Sequence, residues 1–319
     1  MSDTDTSRVS RVAAIDCGTN SIRLLIAEPD SAGGLVHLDR RLEIVRLGQG
    51  VDATGEFHPD ALTRTFAAVD RYAEAVAAAG VASTAVRFVA TSAARDAGNR
   101  NAFFSGVRER LGVLPDVLSG EEEAQLSFTG AVSRLDPAPE PVLVMDIGGG
   151  STELVLGSVG GRIDQAVSLD VGSVRLTERF LDQSPPSATS LRHSAAYVDE
   201  LLTRSGVRLD SVRTWIGVAG TVTTLAAMHL GLQSYDRTAV HGSVLPIGAL
   251  SDLLTRLSGL DVSEIRALPS MHPQRADVIT AGTLIAARVG ARVQTTDLLV
   301  SEADILDGVA LDLLRRLGR

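Results

Sequence analysis

Two segments of the chain share a short pattern that could bind phosphate. In the first, an apolar run ends at Asp16 and is followed by CGTNSIR; in the second, an apolar run ends at Asp146 and is followed by IGGGSTE. Glycine lets backbone N–H groups approach a ligand closely, and Ser and Thr add hydroxyl donors. Either segment alone also fits an ordinary structural turn. Because the pattern occurs twice, we interpret both segments as phosphate-binding loops between two strands.

The aspartate at the start of each loop indicates a metal ion. A carboxylate repels phosphate, but it can hold a hydrated Mg²⁺ that bridges to phosphate oxygens. The pair therefore predicts metal-assisted phosphoryl chemistry between two related halves. The chain contains no GxxxxGK[ST] segment, and neither glycine cluster forms GxGxxG ahead of a helix, so P-loop and Rossmann sites are disfavoured.

Three further segments place small or charged residues where a strand meets a helix. Thr91 and Ser92 follow a short apolar strand, and Arg95 lies about one turn into the next helix, where it is either a phosphate ligand or a solvated residue. The segment SGEEEA begins a helix with three acids, which also favour the helix dipole without any function. Gly220 and Thr221 follow another strand, where Gly-Thr is also an ordinary helix cap.

Composition narrows the class of protein. The 319 residues are 45% hydrophobic and 22% charged, as in soluble proteins of about two domains. A net charge of −9 and 3% aromatic residues argue against nucleic acid as a partner, so we expect a local arginine cluster on an acidic body. The single cysteine, Cys17, is interpreted as buried filler. The polar N-terminus has no signal-peptide pattern and no apolar run reaches the length of a membrane span, which predicts a cytoplasmic protein without membrane contact.

The hydrophobic pattern predicts alternating strands and helices. Strands are predicted at 11–27 (interrupted by the first loop), 35–47, 86–90, 143–156, 165–169, 214–218 and 297–300. Helices are predicted at 59–79, from 91, from the triple glutamate, at 171–180 and 191–204, after 219, at 275–290 and at 300–318.

Taken together, these segments resemble the exopolyphosphatase and guanosine pentaphosphate phosphohydrolase family over essentially the whole chain. The resemblance rests on DCGTNSIR, TSAAR, SGEEEA, DIGGGSTE and AGT. It implies an α/β fold of two related ribonuclease-H-like domains of the actin, sugar-kinase and heat-shock-ATPase superfamily, with a cleft between them. We expect the first domain at 1–125 and the second at 126–300, with the terminal helix, about 301–319, able to pack back on the first.

The resemblance also implies a role for each motif. Glu123, directly before the alanine of SGEEEA, corresponds to the family's proposed general base. The acids associated with the divalent metal correspond to Asp16, Asp146 and Glu153. The phosphate-binding positions correspond to Gly18, Thr19, Asn20, Ser21, Arg23, Thr91, Ser92, Arg95, Gly148, Gly149, Gly150, Ser151, Thr152, Gly220 and Thr221.

The implied activity is hydrolysis of the terminal phosphoanhydride of inorganic polyphosphate, with release of orthophosphate and with Mg²⁺ or Mn²⁺ as cofactor. Longer family members append a helical region that resembles HD-type phosphohydrolases and binds extended polyphosphate, so we expect short polyphosphate as the substrate here. Two alternatives stay open: removal of the 5′-terminal phosphate of guanosine pentaphosphate, and binding of guanosine tetra- or pentaphosphate with weak catalysis. A kinase or ATPase of the wider superfamily is a further alternative. A homodimer, common among relatives, is also open.

Overall fold

A computed structural model describes residues 11–31, 33–133, 135–136 and 138–318. The polar N-terminus at 1–10, single residues at 32, 134 and 137, and the last residue of the predicted terminal helix lie outside these ranges. Within them, the strands form two mixed sheets. The first contains β1 (Val12–Cys17), β2 (Ser21–Pro29), β3 (Leu35–Ile44), β4 (Val86–Ala90) and β5 (Asp116–Val117). The second contains β6 (Val142–Ile147), β7 (Thr152–Gly157), β8 (Ile163–Leu169), β9 (Thr214–Val218), β10 (Val244–Pro246) and β11 (Asp297–Val300).

The two sheets have the same topology. The first has the order β3-β2-β1-β4-β5 and the second has β8-β7-β6-β9-β11, with β10 added antiparallel at the far edge. In each sheet the first three strands are antiparallel neighbours and the next two are parallel. The predicted α/β fold of two related halves is therefore confirmed.

Helices cover both sheets, and none within the described ranges is both long and apolar enough to cross a membrane. They are α1 (Val51–Thr54), α2 (Pro59–Ala78), α3 (Ser92–Asp96), α4 (Arg100–Leu111), α5 (Gly120–Val132), α6 (Ser173–Phe180), α7 (Ala188–Ser205), α8 (Ala219–His229), α9 (Arg237–Val240), α10 (Ile247–Ser258), α11 (Val262–Arg266), α12 (Ile279–Gly290) and α13 (Ile305–Arg316). Short 3₁₀ helices lie at Ser83–Ala85, Leu209–Ser211 and Pro273–Arg275.

Several predicted element ends differ from the structure. The helix predicted from 91 is only the five-residue α3, because the chain leaves the helical conformation at Ala97 before α4 begins. The helix predicted at 275–290 begins at Ile279, and the terminal helix begins at Ile305 after an Asp304 cap. Asp304 accepts a hydrogen bond from the Leu306 N–H (3.0 Å), which satisfies a free donor of the first turn.

Two helices connect the halves by crossing each other. Apolar side chains of α5, which follows the first sheet in the chain, pack against the second sheet. Apolar side chains of α13, which follows the second sheet, pack against the first. The crossing depends on two glycines: a Cβ at Gly130 would lie 1.8 Å from the Asp304 carbonyl oxygen, and one at Gly308 would lie 1.9 Å from that of Leu126. No side chain larger than hydrogen fits at either position.

Candidate active site

The two predicted loops face each other across a cleft between the sheets. Each closes with the same hydrogen bond, from Gly18 N to Ser21 O (2.9 Å) and from Gly148 N to Ser151 O (3.0 Å). A Cβ at Gly150 would lie 2.5 Å from the Ser92 Oγ and 2.6 Å from the Thr19 Oγ1. A side chain at this position would push against the hydroxyls of the first loop and of the first residue of α3, so glycine suits the point where the second loop meets them.

Most of the predicted site residues line this cleft. The structure brings together Asp16, Gly18, Thr19, Asn20, Ser21, Arg23, Thr91, Ser92, Glu123, Asp146, Gly148, Gly149, Gly150, Ser151, Gly220 and Thr221. Three predicted residues lie behind this surface: Arg95, Thr152 and Glu153. The Thr152 hydroxyl donates to the Val171 carbonyl (2.6 Å) and is fully buried, so it serves the fold of this loop.

Glu123 lies in the first turn of α5, where that helix faces the cleft. The helix begins with a capping box between Ser119 and Glu122, which leaves the next residue pointing inward. The Glu123 Oε2 accepts a hydrogen bond from the Arg95 Nη1 at 2.7 Å. Burial raises the pKa of Glu123 to about 7, although Arg95 acts in the opposite direction. A carboxylate with this pKa can accept a proton near neutral pH.

The acids of the second loop are also buried, and their carboxylates interact electrostatically with that of Glu123. Asp146 and Glu153 face each other on paired strands β6 and β7. Their carboxylates accept hydrogen bonds from the Ser127 Oγ and the Ser168 Oγ, both at 2.8 Å. Burial raises the pKa of Asp146 to about 6 and raises that of Glu153 well above its usual value, with further repulsion from neighbouring acids. The two serines, on α5 and β8, were not predicted.

The first loop has a different residue opposite its aspartate. In the β1–β2 pair, Asp16 faces Arg23, where the β6–β7 pair places Glu153. The Asp16 Oδ2 accepts from the Arg23 Nη2 (2.5 Å) and Nε (3.1 Å), but the Asp16 Oδ1 is buried without a hydrogen-bond partner. The buried Thr19 Oγ1 is likewise unpartnered. Burial raises the pKa of Asp16 despite Arg23.

These acids fit a divalent cation held partly by water. Carboxylate oxygens are the donors that Mg²⁺ and Mn²⁺ prefer, and the unpartnered Asp16 Oδ1 lacks a donor or cation. Across the described ranges, no three acidic, histidine or cysteine side chains are close enough to hold one ion together. An ion here would therefore complete its coordination with waters or phosphate oxygens, as Mg²⁺ commonly does.

Arg275 is a cleft residue that the sequence did not predict. It lines the cleft beside Gly220, whose carbonyl oxygen accepts a hydrogen bond from its guanidinium, and it also donates to the Thr224 Oγ1 (2.9 Å). Within the described ranges no carboxylate lies within ion-pair distance of it. Burial lowers the pKa of Arg275 to about 10, so its charge lacks compensation by a close anion. A bound phosphate would supply that anion.

Comparison with known proteins agrees with this geometry. The chain is 46% identical to Exopolyphosphatase 2 of Mycobacterium tuberculosis, over 96% of this chain and 99% of that protein. It is 33% identical, over 94% of this chain and 46% of that protein, to a bifunctional 3-dehydroquinate synthase/phosphatase of Fusobacterium nucleatum. The crystal structure of an exopolyphosphatase-like protein matches with a TM-score of 0.93 and 41% identity, covering 97% of this chain and 99% of the other.

A Ppx/GppA family member from Aquifex aeolicus also matches, with a TM-score of 0.81 and 31% identity, over 97% of this chain and 99% of the other. The model of the Ppx/GppA phosphatase family matches residues 25–317. This chain therefore belongs to the Ppx/GppA phosphatase family.

Proposed function

We propose that this protein is an exopolyphosphatase that hydrolyses the terminal phosphoanhydride of inorganic polyphosphate and releases orthophosphate. The observation that carries the proposal is the position of Glu123: a buried carboxylate with a pKa of about 7, at a cleft where two phosphate-type loops meet. The 46% identity to a protein named Exopolyphosphatase 2 supports the same reaction.

The chain's own residues supply the groups that such a hydrolysis needs. A phosphoanhydride is a good leaving group, so catalysis consists of placing a water in line and stabilising the charge on the transferring phosphoryl group. Glu123 accepts a proton from that water. The loop N–H groups, together with the Thr19 hydroxyl, surround the terminal phosphate. Arg275, which lines the cleft beside Gly220, provides positive charge.

A divalent cation would be held by Asp16 and Asp146, with Glu153 behind them. When bound, Mg²⁺ or Mn²⁺ supplies charge neutralisation for the phosphate oxygens. The raised pKa values of Asp146 and Glu153 support this assignment, because nearby carboxylates that repel each other are stabilised by a cation between them. Asp16 adds an oxygen with no other partner.

We also propose a cytoplasmic location and leave a homodimer as the assembly to be tested by sedimentation.

The test measures orthophosphate release from tripolyphosphate, long-chain polyphosphate and guanosine pentaphosphate side by side, with Mg²⁺ or Mn²⁺ present. Release from either polyphosphate, abolished by a chelator, is the expected result, and the ratio of the two rates gives the chain-length preference. Activity confined to guanosine pentaphosphate would replace the proposal with a nucleotide phosphohydrolase. No release from any of the three, by protein that is folded and metal-loaded, would refute hydrolysis and favour a binding protein.

A further inference from the structure

A chain of buried charges connects the first loop to the start of α13. The Arg23 guanidinium bridges two carboxylates: its Nε and Nη2 donate to the Asp16 Oδ2 (3.1 and 2.5 Å), and its Nη1 donates to the Asp304 Oδ2 (2.5 Å). The Asp304 side chain is 5% exposed and does not line the cleft. Asp304 thus contacts Arg23, and Arg23 holds Asp16, the metal-associated acid of the first loop.

Asp304 is itself fixed from its other side. Its Oδ1 accepts from the Leu306 N–H (3.0 Å) at the start of α13 and pairs with the Arg40 Nη2 at 2.8 Å. Arg40 is held in turn by Asp307, through a contact of 3.0 Å. Because these partners lie on β3 and α13, Asp304 cannot shift without breaking contacts on both elements.

This anchoring has a consequence for Asp16. A guanidinium has a planar fork that readily pairs with both oxygens of one carboxylate. In the structure the fork is shared between two carboxylates, and only the Oδ2 of Asp16 is used. The Oδ1 of Asp16 remains buried and unpartnered. If the Nη1 of Arg23 were not held by Asp304, rotation of the guanidinium would bring it onto that free oxygen.

We propose that Asp304 is a positioning residue: it holds Arg23 in a bridging orientation, so that Asp16 keeps one oxygen free for the divalent cation. This inference rests on the proposed function, because it assigns Asp16 to a metal site. The competing explanation is that Asp304 only caps α13 and fastens it to the first sheet.

Asp307 offers a matched control for that competing explanation. It lies one turn further along α13, is fully buried, pairs with Arg40 and contacts His37 (2.7 Å). It also completes the capping box by accepting from the Asp304 N–H (3.2 Å), but it makes no contact with Arg23. Asp304→Asn and Asp307→Asn therefore remove similar charges from one network and differ in their relation to Arg23.

The experiment measures Mn²⁺ binding to the metal-free full-length protein by titration calorimetry and by the electron paramagnetic resonance signal of free Mn²⁺. Asn is a good N-cap residue, so Asp304→Asn keeps the cap of α13, and Asp307→Asn leaves the cap residue itself unchanged. We expect Asp304→Asn to weaken Mn²⁺ binding by about ten-fold or more, since losing a partner that orients a metal ligand typically costs about 10- to 100-fold. We expect Asp307→Asn to stay within about two-fold of wild type, even where both variants melt at lower temperature.

A double-variant comparison separates orientation from simple charge. In an Arg23→Gln background no guanidinium can rotate onto Asp16, so adding Asp304→Asn should change Mn²⁺ affinity by less than about two-fold. A loss that persists in this background, or an equal loss in Asp304→Asn and Asp307→Asn, overturns the proposal. If Asp304→Asn does not fold, Asp304→Glu keeps the charge but moves the carboxylate by one methylene. We then expect a loss of about three-fold or more, and wild-type affinity overturns the proposal.

The failure of this inference is distinguishable from failure of the proposed function. Orthophosphate release by the wild-type protein tests the function alone. If release occurs but the Mn²⁺ pattern differs from the expected one, Asp304 is structural and the exopolyphosphatase proposal stands. If no substrate is hydrolysed, the Mn²⁺ comparison still decides whether Asp304 positions the metal ligand.

Discussion

The cleft acids and the acids at the start of α13 are both buried, yet their pKa values are shifted in opposite directions. Burial raises the pKa of Glu123 to about 7 and that of Asp146 to about 6, because the cationic groups near them do not offset the loss of water. At α13, burial acts in the same direction on Asp304, but Arg23 and Arg40 outweigh it and the pKa is lowered.

The difference lies in the charge of the groups around each carboxylate. Asp307 accepts from both His37 and Arg40, which together outweigh burial and lower its pKa to about 2. Glu153 is hydrogen-bonded by serine hydroxyls and repelled by Glu123 and Asp146. A fully paired acid stabilises the fold, whereas an incompletely paired one is left able to bind a proton or a cation. The comparison therefore separates acids that maintain structure from acids available for chemistry.

The largest expected effect comes from neutralising Glu123. Glu123→Gln removes the proposed base, so turnover of polyphosphate should fall by about 10²- to 10⁴-fold, the usual range for general-base catalysis. Because the change removes a buried charge, the melting temperature should not fall. Glu121→Gln, an exposed change in the same first turn, is the matched control and should retain wild-type turnover. Near-wild-type turnover of folded Glu123→Gln would show that another group accepts the proton.

Removing a paired acid at the start of α13 should instead lower the stability of the fold. Asp307→Ala leaves His37 without its carboxylate and leaves Arg40 with Asp304 as its remaining partner, so the free energy of unfolding should fall by about 3 kcal/mol, the lower end of the range for a broken buried pair. Asp146→Asn, which removes a charge with few compensating donors, should leave stability unchanged or higher while raising the metal concentration needed for activity. Urea denaturation of the metal-free variants measures both. Equal destabilisation by the two changes would contradict the distinction between the clusters.

The sequence was sufficient for the loops because their chemistry is local. Asp16 and Asp146 end apolar strands next to glycine, and both appear in the cleft as the pattern indicated. The repeat also predicted two related halves, and the common strand order confirmed it. Glu123 could be singled out from its two neighbours only through the family resemblance, since all three acids suit the start of a helix.

The rest of the site depends on contacts between distant segments. Arg275 is the last residue of a 3₁₀ helix, in a segment whose sequence predicts the start of a longer helix, and nothing nearby in sequence marks its approach to Gly220. The sequence places Asp304 in the predicted terminal helix without indicating a partner. Only the crossing of α13 over α5 brings it to Arg23. Such pairings are decided by tertiary packing, which residue spacing alone does not contain.

A smaller effect should appear in the pH dependence of stability. A carboxyl whose pKa is higher in the folded state binds a proton more tightly there, so its contribution to stability is lost as pH rises through the folded pKa. This window runs from 4.5 to about 7 for Glu123 and from 3.8 to about 6 for Asp146. Asp307, whose pKa is lowered to about 2, keeps its contribution throughout that window.

The metal-free protein should therefore lose stability as pH rises from 5 to 7.5, and Mn²⁺ should raise the melting temperature more at pH 7.5 than at pH 5. Scanning calorimetry at both pH values, with and without Mn²⁺, measures this. In Glu123→Gln the slope between the two pH values should become shallower. A slope unchanged by that substitution would mean that Glu123 is already ionised at pH 5.

The finest distinction concerns Arg95, the cation nearest to the proposed base. Arg95 favours the ionised form of Glu123, since it donates a hydrogen bond at 2.7 Å and lowers the pKa against the effect of burial. Arg95→Gln should therefore raise the pKa of Glu123 further. A general base must be ionised to act, so the acid limb of the kcat/KM profile should move to higher pH, with more activity lost at pH 6 than at pH 8.

Arg100→Gln, an exposed change at the start of α4, is the control and should leave the limb in place. If Arg95 also binds phosphate, the whole profile drops as well, but a vertical drop does not move the limb. A lower rate with an unmoved limb would assign Arg95 to substrate binding alone.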